Sequence, residues 1–367
     1  MKKLLILANS DSAIFKFRSE LIAELSKQFH IGIGIPFGQY MDLIANADYE
    51  FFDIPINRHG LNPVEDFRLL LRYRKLIEQF KPDAILLYTI KPNLYGSIAA
   101  RSKGIPCLCN ITGLGGALEK KSLLQKMLIG MYRYAMRSVN TIFFQNRHGK
   151  EFFIEHKIGK ESQYYLLPGS GVNLERFKLL PYPEDEPVRF FFIARVIKEK
   201  GIDEFLYTAK RFFDDKKEAE FHVCGACEEA YEDILKNADE KGVIKYHGLV
   251  KDMRKMYEMA SCVVLPSYYP EGQSNVLLEG AASGRPLITT DHPGCREAVD
   301  DGLSGFLVKS KSAEDVYSKA CAIFFMKASE RKQMGLVGRK KIENEFDRNI
   351  VIAAYKEKLA PIYNKHQ

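Results

Sequence analysis

The chain has 367 residues, of which 46% are hydrophobic and 28% are charged, and its formal net charge is +7. This average composition excludes a disordered or fibrous protein, and the length favours two domains over one. No apolar run approaches the roughly 20 residues that a membrane-spanning helix needs. We therefore expect a globular chain whose opening, MKKLLILANSDSAIF, forms a buried first strand rather than a signal peptide.

Short apolar runs alternate with helical patterns along the first half of the chain. This rhythm predicts strands at 4–8, 31–35, 49–54, 84–88, 106–110, 141–144 and 164–167, and helices at 15–28, 63–80, 94–102, 122–136 and 149–155. Repeated strand–helix alternation is typical of a parallel sheet with helices on both faces.

The stretch PGSGVNLERFKLLPYPEDEP at 168–187 interrupts the rhythm with Gly, Pro and acidic residues, and we predict a linker there. Alternation then resumes, with strands expected at 189–194, 220–224, 244–247, 262–266, 286–290 and 305–308, and only helices from 313 onward. The pattern predicts a second α/β domain of the doubly wound type. Sheets of this type bind ligands beyond the carboxyl ends of their strands.

The positive charge lies in the first half. Residues 1–180 hold 25 Lys and Arg against 16 Asp and Glu, which leaves 29 against 31 for the rest of the chain. Within the first half, residues 101–150 hold nine basic residues and one acid, Glu119. This imbalance indicates an anionic partner such as a lipid surface or phosphates, or simply a solvated basic face.

Seven cysteines are scattered along the chain. Cys224 and Cys227 have the spacing of a redox pair, but no second pair completes a zinc site. We expect structural thiols in a reducing cytoplasm.

The run LPSYYPEGQSNVLLEGAASGRPLITT, residues 265–290, combines a strand, a loop, a helix start and a second strand. Unpaired N–H groups and the helix dipole favour an anion at such a helix start. Ser274 or Asn275 is suited to cap the helix, and Gly272 lets the backbone approach a ligand closely. Glu271 lies before the helix and Glu279 about a turn and a half inside it, so both side chains can reach a ligand at its mouth.

The first strand of the second domain ends in IARVIKEKG, residues 193–201. Arg195 and Lys200 lie five residues apart across this loop and can converge on one anion. Arg clamps two oxygens and Lys supplies a point charge, which suits a leaving diphosphate. An ordinary solvated surface is the alternative.

These residues resemble those of the family 4 retaining glycosyltransferases of GT-B fold, an α/β fold of two Rossmann-like doubly wound domains facing a central cleft. The family carries two glutamates with seven residues between them, here Glu271 and Glu279, preceded by an Arg and a Lys, here Arg195 and Lys200. The segment CREAVDDGLSGFLV at 295–308 also resembles the family pattern.

The first domain resembles a narrower subgroup. The segments IFKFRSELIAEL, LNPVEDF, KPNLYGSIAA and ITGLGG are similar to the bacterial lipid-linked glycan alpha-1,3-N-acetylgalactosaminyltransferase subgroup and to related capsule and O-antigen enzymes. The resemblance implies an acceptor saccharide linked to undecaprenyl diphosphate at the inner face of the cell membrane.

On the donor side, the resemblance implies that Glu279 binds the ribose, that Arg195 and Lys200 neutralise the diphosphate, and that Glu271 binds the sugar hydroxyls. The donor-binding segment spans Gly272, Gln273, Ser274, Asn275 and Val276, with the backbone amides of Gln273, Ser274 and Asn275 on the phosphate or sugar. The uracil-type base is expected against Cys224, Gly225, His247, Gly248 and Leu249. For His247, packing at a strand end is favoured over catalysis.

The acceptor side departs from the family. Many members carry a histidine where this chain reads CNITGLGGAL, so Thr112 and Gly113 occupy that region and no general base is assigned. In a same-face displacement the leaving phosphate itself takes the acceptor proton. The loop NSDSAIFKFR offers Asn9, Ser10 and Ser12 to the acceptor, whereas Arg18 either contacts its diphosphate or forms a buried ion pair.

The stretch KKSLLQKMLIGMYRYAMRS at 120–138 mixes Leu, Met, Ile and Tyr with lysines and arginines. A helix of this composition can lie on an anionic membrane, its basic side chains snorkelling beside apolar ones. The apolar half also fits a core helix, so both interpretations stay open here.

The sequence as a whole predicts an acceptor-binding domain at 1–180, a nucleotide-sugar-binding domain at 181–345, and a C-terminal helix at 346–367 that crosses back to the first domain. The expected activity is retaining transfer of an N-acetylhexosamine or hexose from a UDP-sugar to a lipid-linked saccharide by a cytoplasmic, peripheral membrane enzyme. We expect no cofactor, metal or nucleic-acid partner. The alternative functions are those of an epimerase or glycogen-type transferase with a soluble acceptor, and of a non-catalytic nucleotide-sugar-binding scaffold.

Overall fold

The computed structural model describes residues 1–38, 40–41, 48–57, 62–184 and 187–363. The chain divides into two compact units: unit 1 comprises Met1–Ser170 and Ile350–Gln367, and unit 2 comprises Gly171–Asn349. The segment LNPVEDF begins at a residue outside the described ranges, as do parts of the predicted linker and of the C-terminal segment.

Unit 1 contains a parallel sheet of seven strands in the order β3-β2-β1-β4-β5-β6-β7. Its strands are β1 (Lys2–Leu7), β2 (Phe29–Ile35), β3 (Glu50–Asp53), β4 (Ala84–Tyr88), β5 (Cys107–Ile111), β6 (Thr141–Phe144) and β7 (Tyr164–Leu166). Its helices are α1 (Asp11–Ser26), α2 (Pro63–Phe80), α3 (Ser97–Arg101), α4 (Gly116–Glu119), α5 (Leu123–Ala135) and α6 (Arg147–Glu155).

Unit 2 contains a parallel sheet of six strands in the order β10-β9-β8-β11-β12-β13. Its strands are β8 (Val188–Ile193), β9 (Ala219–Cys224), β10 (Lys245–Tyr246), β11 (Cys262–Leu265), β12 (Leu287–Thr290) and β13 (Gly305–Val308). Its helices are α7 (Ile202–Asp214), α8 (Glu229–Glu240), α9 (Arg254–Met259), α10 (Asn275–Ala282), α11 (Ala313–Phe325) and α12 (Ala328–Glu345). The α/β fold class with two doubly wound sheets is confirmed.

Strand β1 explains why helices cover both faces of the first sheet. Its residues alternate between two core clusters: Leu5 and Leu7 pack with α2, α5 and α6, whereas Leu4 and Ile6 pack with α1 and the last helix, α13 (Arg348–Tyr363). Successive side chains of a strand point to opposite faces, so an unbroken apolar run needs cover on both. The sheet of unit 1 is therefore buried between two helical layers.

Helix α2 begins and ends where its sequence predicts. The Asn62 side chain accepts hydrogen bonds from the backbone N–H groups of Val64 and Glu65, at 3.1 and 3.4 Å, and Pro63 occupies the first helical turn. Lys81 ends the helix in the left-handed conformation with φ of 54°. A capping side chain and a proline in the first turn are typical of the start of a helix, and a residue in the left-handed conformation is typical of its end.

The segment after β4 differs from its prediction. A single helix was expected at 94–102, but a π-helical turn at Pro92–Gly96 precedes the short helix α3. Thr89 adopts a positive φ of 73°, and the amide of Asn93 donates to its carbonyl at 2.9 Å. Residues 90 and 91 are already α-helical, so the helical segment begins before the predicted position and passes through the wider π turn into α3.

The stretch predicted as a linker lies against unit 2. The amide of Val172 donates to the Phe346 carbonyl at 2.8 Å, the Tyr182 hydroxyl donates to the Ser261 carbonyl at 2.9 Å, and the buried Arg285 donates to the Pro181 carbonyl at 2.6 Å. The units divide at 170/171 rather than at 180/181, because these contacts hold the described part of the segment on the second unit.

The last helix, α13, belongs to unit 1 from residue 350 onward, where the sequence placed the start of this segment at 346. The Tyr355 hydroxyl accepts a hydrogen bond from the Asn110 side chain at 2.7 Å, and its ring lies 4.4 Å from that of Phe143. Among the described helices, none is both long and apolar enough to span a bilayer.

Candidate active site

The candidate site of unit 2 lies at the carboxyl edge of the sheet, between β8 and β11. The chain runs outward from β8 through β9 to β10, and then returns to add β11 on the other side of β8. Loops from two neighbouring strands diverge at such a switch point and leave a crevice for a ligand. Here these loops are 194–201, after β8, and 266–274, after β11.

The two loops are joined by their backbones. The amide of Tyr268 donates to the Glu199 carbonyl at 2.8 Å. Gly201 has a positive φ of 83°, and a Cβ at this position would overlap the Pro266 carbonyl. Only glycine permits both this conformation and this approach. The position of Lys200 therefore depends on its neighbour Gly201.

We expect Gly201→Ala to destabilise unit 2 by well over the roughly 1 to 2 kcal/mol that a left-handed alanine costs by itself. Gly242→Ala is the matched control, because Gly242 has a φ of 72° but no atom within 4 Å of an added Cβ. Urea unfolding monitored by circular dichroism measures the difference. Equal losses in the two variants would show that the contact with Pro266 contributes nothing.

Three of the predicted residues come together at the mouth of the crevice. The Lys200 ammonium is in contact with the Glu271 carboxylate, and both side chains are largely buried. The Tyr269 ring lies beside both cations, 4.9 Å from the Lys200 Nζ and 5.8 Å from the Arg195 guanidinium. Arg195 itself is exposed. The two predicted cations thus share one aromatic neighbour.

Burial lowers the pKa of Lys200 to about 8, and the nearby positive charge of Arg195 acts in the same direction. The nearby Cys295 side chain acts in the opposite direction. An anion placed between the two cations would also stabilise the charged lysine.

Helix α10 begins at the predicted position. Of the two residues predicted to cap it, Ser274 is the N-cap residue, although its side chain forms no capping hydrogen bond. The Ser274 amide donates to the Gly294 carbonyl at 2.8 Å, and Gly294 packs against the backbone of Glu271 and Gly272. The loop after β12 therefore supports the start of α10. The adjoining Asn275 and Val276 form the first helical turn and are half-buried.

Gln273 precedes this helix with a buried side chain whose amide nitrogen and oxygen have no hydrogen-bond partner among the described residues. A buried amide without partners is unfavourable by several kcal/mol, so such groups generally mark a bound ligand or water. The side chain of Gln273 was not singled out from the sequence, which assigned only its backbone amide.

Glu279 lies on α10 and accepts a hydrogen bond from the Tyr257 hydroxyl at 3.0 Å. Burial raises the pKa of Glu279 to about 7, although Tyr257 and the charge of Arg176 act in the opposite direction. Tyr257 is fully buried on α9. Glu279 is thus a half-buried carboxyl held in one place by a tyrosine that sequence spacing did not indicate.

The residues expected to pack the base follow β9 and β10. The Gly225 amide donates to the Gly248 carbonyl at 2.7 Å, which joins the two loops, and Leu249 is exposed. The Nε2 of His247 lies 2.9 Å from the Nδ1 of His222, and the Nε2 of His222 lies 3.1 Å from a carboxylate oxygen of Glu220. Burial lowers the pKa of His222 to about 4. His247 therefore has a structural contact at the strand end.

Comparison with known proteins identifies the family. Residues 187–324 match the family of glycosyl transferases group 1, and residues 3–146 match the family described as glycosyl transferase 4-like. The chain is a family 4-type glycosyltransferase. The predicted family and the predicted enzyme class, a hexosyltransferase, are confirmed.

Two curated relatives and one solved structure show the range of similarity. The chain is 24% identical to the N,N'-diacetylbacillosaminyl-diphospho-undecaprenol alpha-1,3-N-acetylgalactosaminyltransferase of Campylobacter jejuni, over 95% of this chain and 96% of that protein. It is 23% identical to the UDP-Gal:alpha-D-GlcNAc-diphosphoundecaprenol alpha-1,3-galactosyltransferase of Escherichia coli, over 75% of this chain and 73% of that protein. Its structure is similar to Anabaena HepE in complex with UDP-glucose, with a TM-score of 0.80, 14% identity, and coverage of 98% and 100%. The GT-B fold is confirmed.

Unit 1 of this glycosyltransferase places the predicted acceptor residues at the carboxyl ends of β1 and β5. Ser10 caps α1 by accepting from the Ala13 amide at 3.2 Å, and its hydroxyl lies 3.2 Å from that of Ser12. Asn9 precedes them and is half-buried. Ser10 is thus already engaged as a helix cap, whereas Thr112 and Gly113 follow β5 and are half-buried.

Arg18 is buried without an ion pair to any described carboxylate, so the buried ion pair weighed from the sequence is not found there. Its guanidinium lies 4.9 Å from the centre of the Tyr88 ring and donates to the Phe17 carbonyl at 3.1 Å. The aromatic face substitutes for a carboxylate by attracting the cation electrostatically. Arg18 lies on the layer of α1 and α13, away from the layer of α2 and α5.

The seven thiols are all free. Burial raises the pKa of Cys224 to about 12, so this member of the pair with redox spacing is an unreactive thiol. Within the described ranges, no group of three or more His, Cys, Asp or Glu side chains is placed to hold a metal ion.

Proposed function

We propose that this glycosyltransferase transfers a hexose or N-acetylhexosamine from a UDP-sugar to a saccharide linked to undecaprenyl diphosphate, with retention of configuration, in the assembly of a surface polysaccharide or glycan. The observation that carries the proposal is the group formed by Arg195, Lys200 and Glu271 beside the start of α10. Two cations, a carboxylate and a helix start are what a sugar diphosphate requires.

In this proposal unit 2 binds the donor. Arg195 and Lys200 take the diphosphate, and the backbone of Gln273, Ser274 and Asn275 at the start of α10 adds its N–H groups. Glu279 binds the ribose hydroxyls. Anabaena HepE, which shares the fold, is described with UDP-glucose bound, and this supports a uridine donor. The two cations supply the charge that a metal ion would otherwise supply, so the proposal includes no cofactor.

The transfer step breaks the bond between the anomeric carbon and the phosphate oxygen, and forms a bond from that carbon to the acceptor hydroxyl on the same face. The acceptor proton moves to the leaving phosphate oxygen, which makes a separate general base unnecessary. Arg195 and Lys200 stabilise the negative charge that develops on the diphosphate. Glu271 and Gln273 orient the sugar. The enzyme therefore accelerates transfer by holding the two substrates in position and by stabilising the charge of the leaving group.

Unit 1 binds the acceptor in this proposal. The names of the Campylobacter and Escherichia relatives both specify a saccharide carried on diphosphoundecaprenol, and this agreement supports the same acceptor class here. Asn9, Ser12, Thr112 and Gly113 lie at the carboxyl edge of the first sheet and contact its sugar. Arg18 does not contact the acceptor diphosphate in this proposal, because its side chain is buried against the Tyr88 ring.

A lipid-linked acceptor requires contact with the inner face of the cell membrane. Helix α5 supports such contact: Leu123, Met127 and Tyr134 form an exposed stripe, while Leu128 and Tyr132 pack into the core. The buried side of the helix is thus a core contact, and the exposed side supports the membrane interpretation. Lys126, Arg133 and Arg137 flank the stripe and suit an anionic surface.

A transfer assay tests the proposal. The purified enzyme is incubated with a panel of UDP- and GDP-sugars and with detergent-solubilised polyprenyl-diphosphate sugar, and extension of the lipid is followed by mass spectrometry. We expect extension with one UDP-sugar, an α-linked product, and an increase in melting temperature with UDP, since a ligand that binds only the folded state stabilises it.

Three other outcomes would contradict it. Extension of a soluble saccharide but not of the lipid would favour a glycogen-type activity, and conversion of the UDP-sugar without an acceptor would favour an epimerase. A stabilising effect of UDP without turnover of any donor would indicate a nucleotide-binding scaffold.

A further inference from the structure

The ring of Tyr269 contacts both cations of the candidate site. Its centre lies 4.9 Å from the Lys200 Nζ and 5.8 Å from the Arg195 guanidinium. The Tyr269 hydroxyl forms no hydrogen bond with a described residue, so the ring face is the part of this side chain that is engaged. A cation is attracted to the negative face of an aromatic ring at such distances.

The backbone of Tyr269 is held in place from two sides. Its amide donates to the Ser267 hydroxyl oxygen at 3.2 Å. Ser267 is fully buried: its hydroxyl donates to the Glu199 carbonyl at 3.4 Å, and its own carbonyl accepts from the Thr290 hydroxyl of β12. Tyr269 is therefore tied to the same loop, 194–201, that carries the two cations.

The preceding residue, Tyr268, contacts a different cation. Its ring centre lies 4.9 Å from the Lys311 Nζ. Burial raises the pKa of Tyr268 to about 12, and the charges of Glu204 and Glu199 act in the same direction. Two adjacent tyrosines of one loop thus face separate charged groups, and it is Tyr269 that faces the cations predicted to bind the diphosphate.

An aromatic ring suits this position better than a carboxylate. Lys200 is in contact with Glu271, and we expect this ion pair to open when a donor binds, because the ammonium then meets the diphosphate and the carboxylate meets the sugar. Two cations that lose a carboxylate repel each other more strongly. A ring face attracts both cations and carries no net negative charge, so it does not repel an incoming diphosphate.

We propose that Tyr269 is a positioning residue for the diphosphate: its ring holds the Lys200 ammonium and the Arg195 guanidinium together for one ligand, with the donor present and absent. The proposal rests on the proposed function, since it takes a diphosphate as the ligand of these cations. It assigns the effect to the ring and none to the hydroxyl, so phenylalanine should replace this tyrosine.

Titration calorimetry of the full chain with UDP tests the proposal. Tyr269→Leu should weaken UDP binding by about fivefold to thirtyfold, the combined effect of two lost cation–ring contacts. Tyr269→Phe should bind within about twofold of the unaltered protein, because its ring has the same negative face. A loss in Tyr269→Phe as large as in Tyr269→Leu would assign the role to the hydroxyl and overturn the proposal.

A double-mutant cycle separates positioning from a general effect on the fold. In the Lys200→Ala background, Tyr269→Leu should cost at least about threefold less UDP affinity than it costs in the unaltered protein, because one of its two partners is already absent. Tyr269→Met should give the same coupling, which keeps the cycle usable where leucine disturbs the fold. Equal losses in the two backgrounds would overturn the proposal.

Tyr268→Leu is the matched control, since Tyr268 is a half-buried tyrosine of the same loop whose ring contacts Lys311 instead. It should bind UDP like the unaltered protein, and a loss equal to that of Tyr269→Leu would contradict the assignment. Inorganic diphosphate is the second ligand. A chain that binds inorganic diphosphate but not UDP would refute the proposed function, and the cycle would then be measured with inorganic diphosphate. A chain that binds neither ligand would overturn both.

Discussion

Replacing Lys200 by alanine should lower turnover by about thirtyfold to a thousandfold, which corresponds to about 2 to 4 kcal/mol of lost transition-state stabilisation. The reason is its position: the Lys200 ammonium is largely buried, beside Arg195 and in contact with Glu271, where charge interactions are stronger than in water. Arg195→Ala should lower turnover within the same range. Initial rates at saturating donor measure both effects.

Lys198→Ala is the matched control for these variants. Lys198 lies on the same short turn, carries the same charge and is exposed. Its removal should leave turnover unchanged, since it does not contact the group around Tyr269. A loss in Lys198→Ala as large as in Lys200→Ala would show that the assay reports the general charge of the loop. Full activity in Lys200→Ala would refute the role assigned to that residue.

Replacing Glu279 by glutamine should weaken UDP-sugar binding by about 1.5 to 3 kcal/mol, roughly tenfold to more than a hundredfold, because a carboxylate accepts stronger hydrogen bonds from the ribose hydroxyls than an amide does. Turnover at saturating donor should change much less. Titration calorimetry with the UDP-sugar at pH 8 measures the affinity.

The same carboxyl predicts a pH dependence. Because burial raises the pKa of Glu279 to about 7, UDP-sugar affinity should fall by up to tenfold for each pH unit below that value. It should fall again above about 8, where Lys200 loses its proton. A UDP-sugar is preferable to UDP here, since the terminal phosphate of UDP itself titrates near neutrality. Glu279→Gln should abolish the acidic limb, and an unchanged acidic limb in this variant would contradict the assignment.

The free energy of unfolding should depend on pH in the opposite direction to UDP-sugar affinity, again because of Glu279. The folded chain retains a proton on Glu279 between pH 4.5 and about 7 that the unfolded chain has released, so the free energy of unfolding decreases as the pH rises through that interval. Above pH 7 this half-buried carboxyl is ionised at a desolvation cost, and Glu279→Gln should then be more stable than the unaltered protein. Affinity and stability would thus move in opposite directions, as expected of a binding residue.

Local sequence patterns predicted most of the architecture. Unbroken apolar runs such as LLIL in β1 and VVL in β11 indicate strands buried on both faces, and the structure contains them within one or two residues of the prediction. Asn62 and Pro63 identify the start of α2 because capping is a local interaction. The predicted linker at 168–187 does contain the division between the units. Gly, Pro and acidic residues indicate only irregular chain, however, and only the folded unit shows that Tyr182 packs against it.

The part of the candidate site that lies on loops after neighbouring strands could be predicted from the sequence. Arg195, Lys200 and Glu271 converge because their loops follow neighbouring strands. Tyr257 was not predictable as the partner of Glu279, since it lies 22 residues away on another helix.

A crystal of the enzyme soaked with its UDP-sugar would show whether the group at the start of α10 is the UDP-sugar site. We expect the diphosphate between Arg195 and Lys200, and the ribose hydroxyls within hydrogen-bond distance of the Glu279 carboxylate. We also expect the sugar beside Glu271 and Gln273. Nucleotide bound elsewhere, with Lys200 and Glu271 still in contact and Glu279 bonded only to Tyr257, would contradict the account.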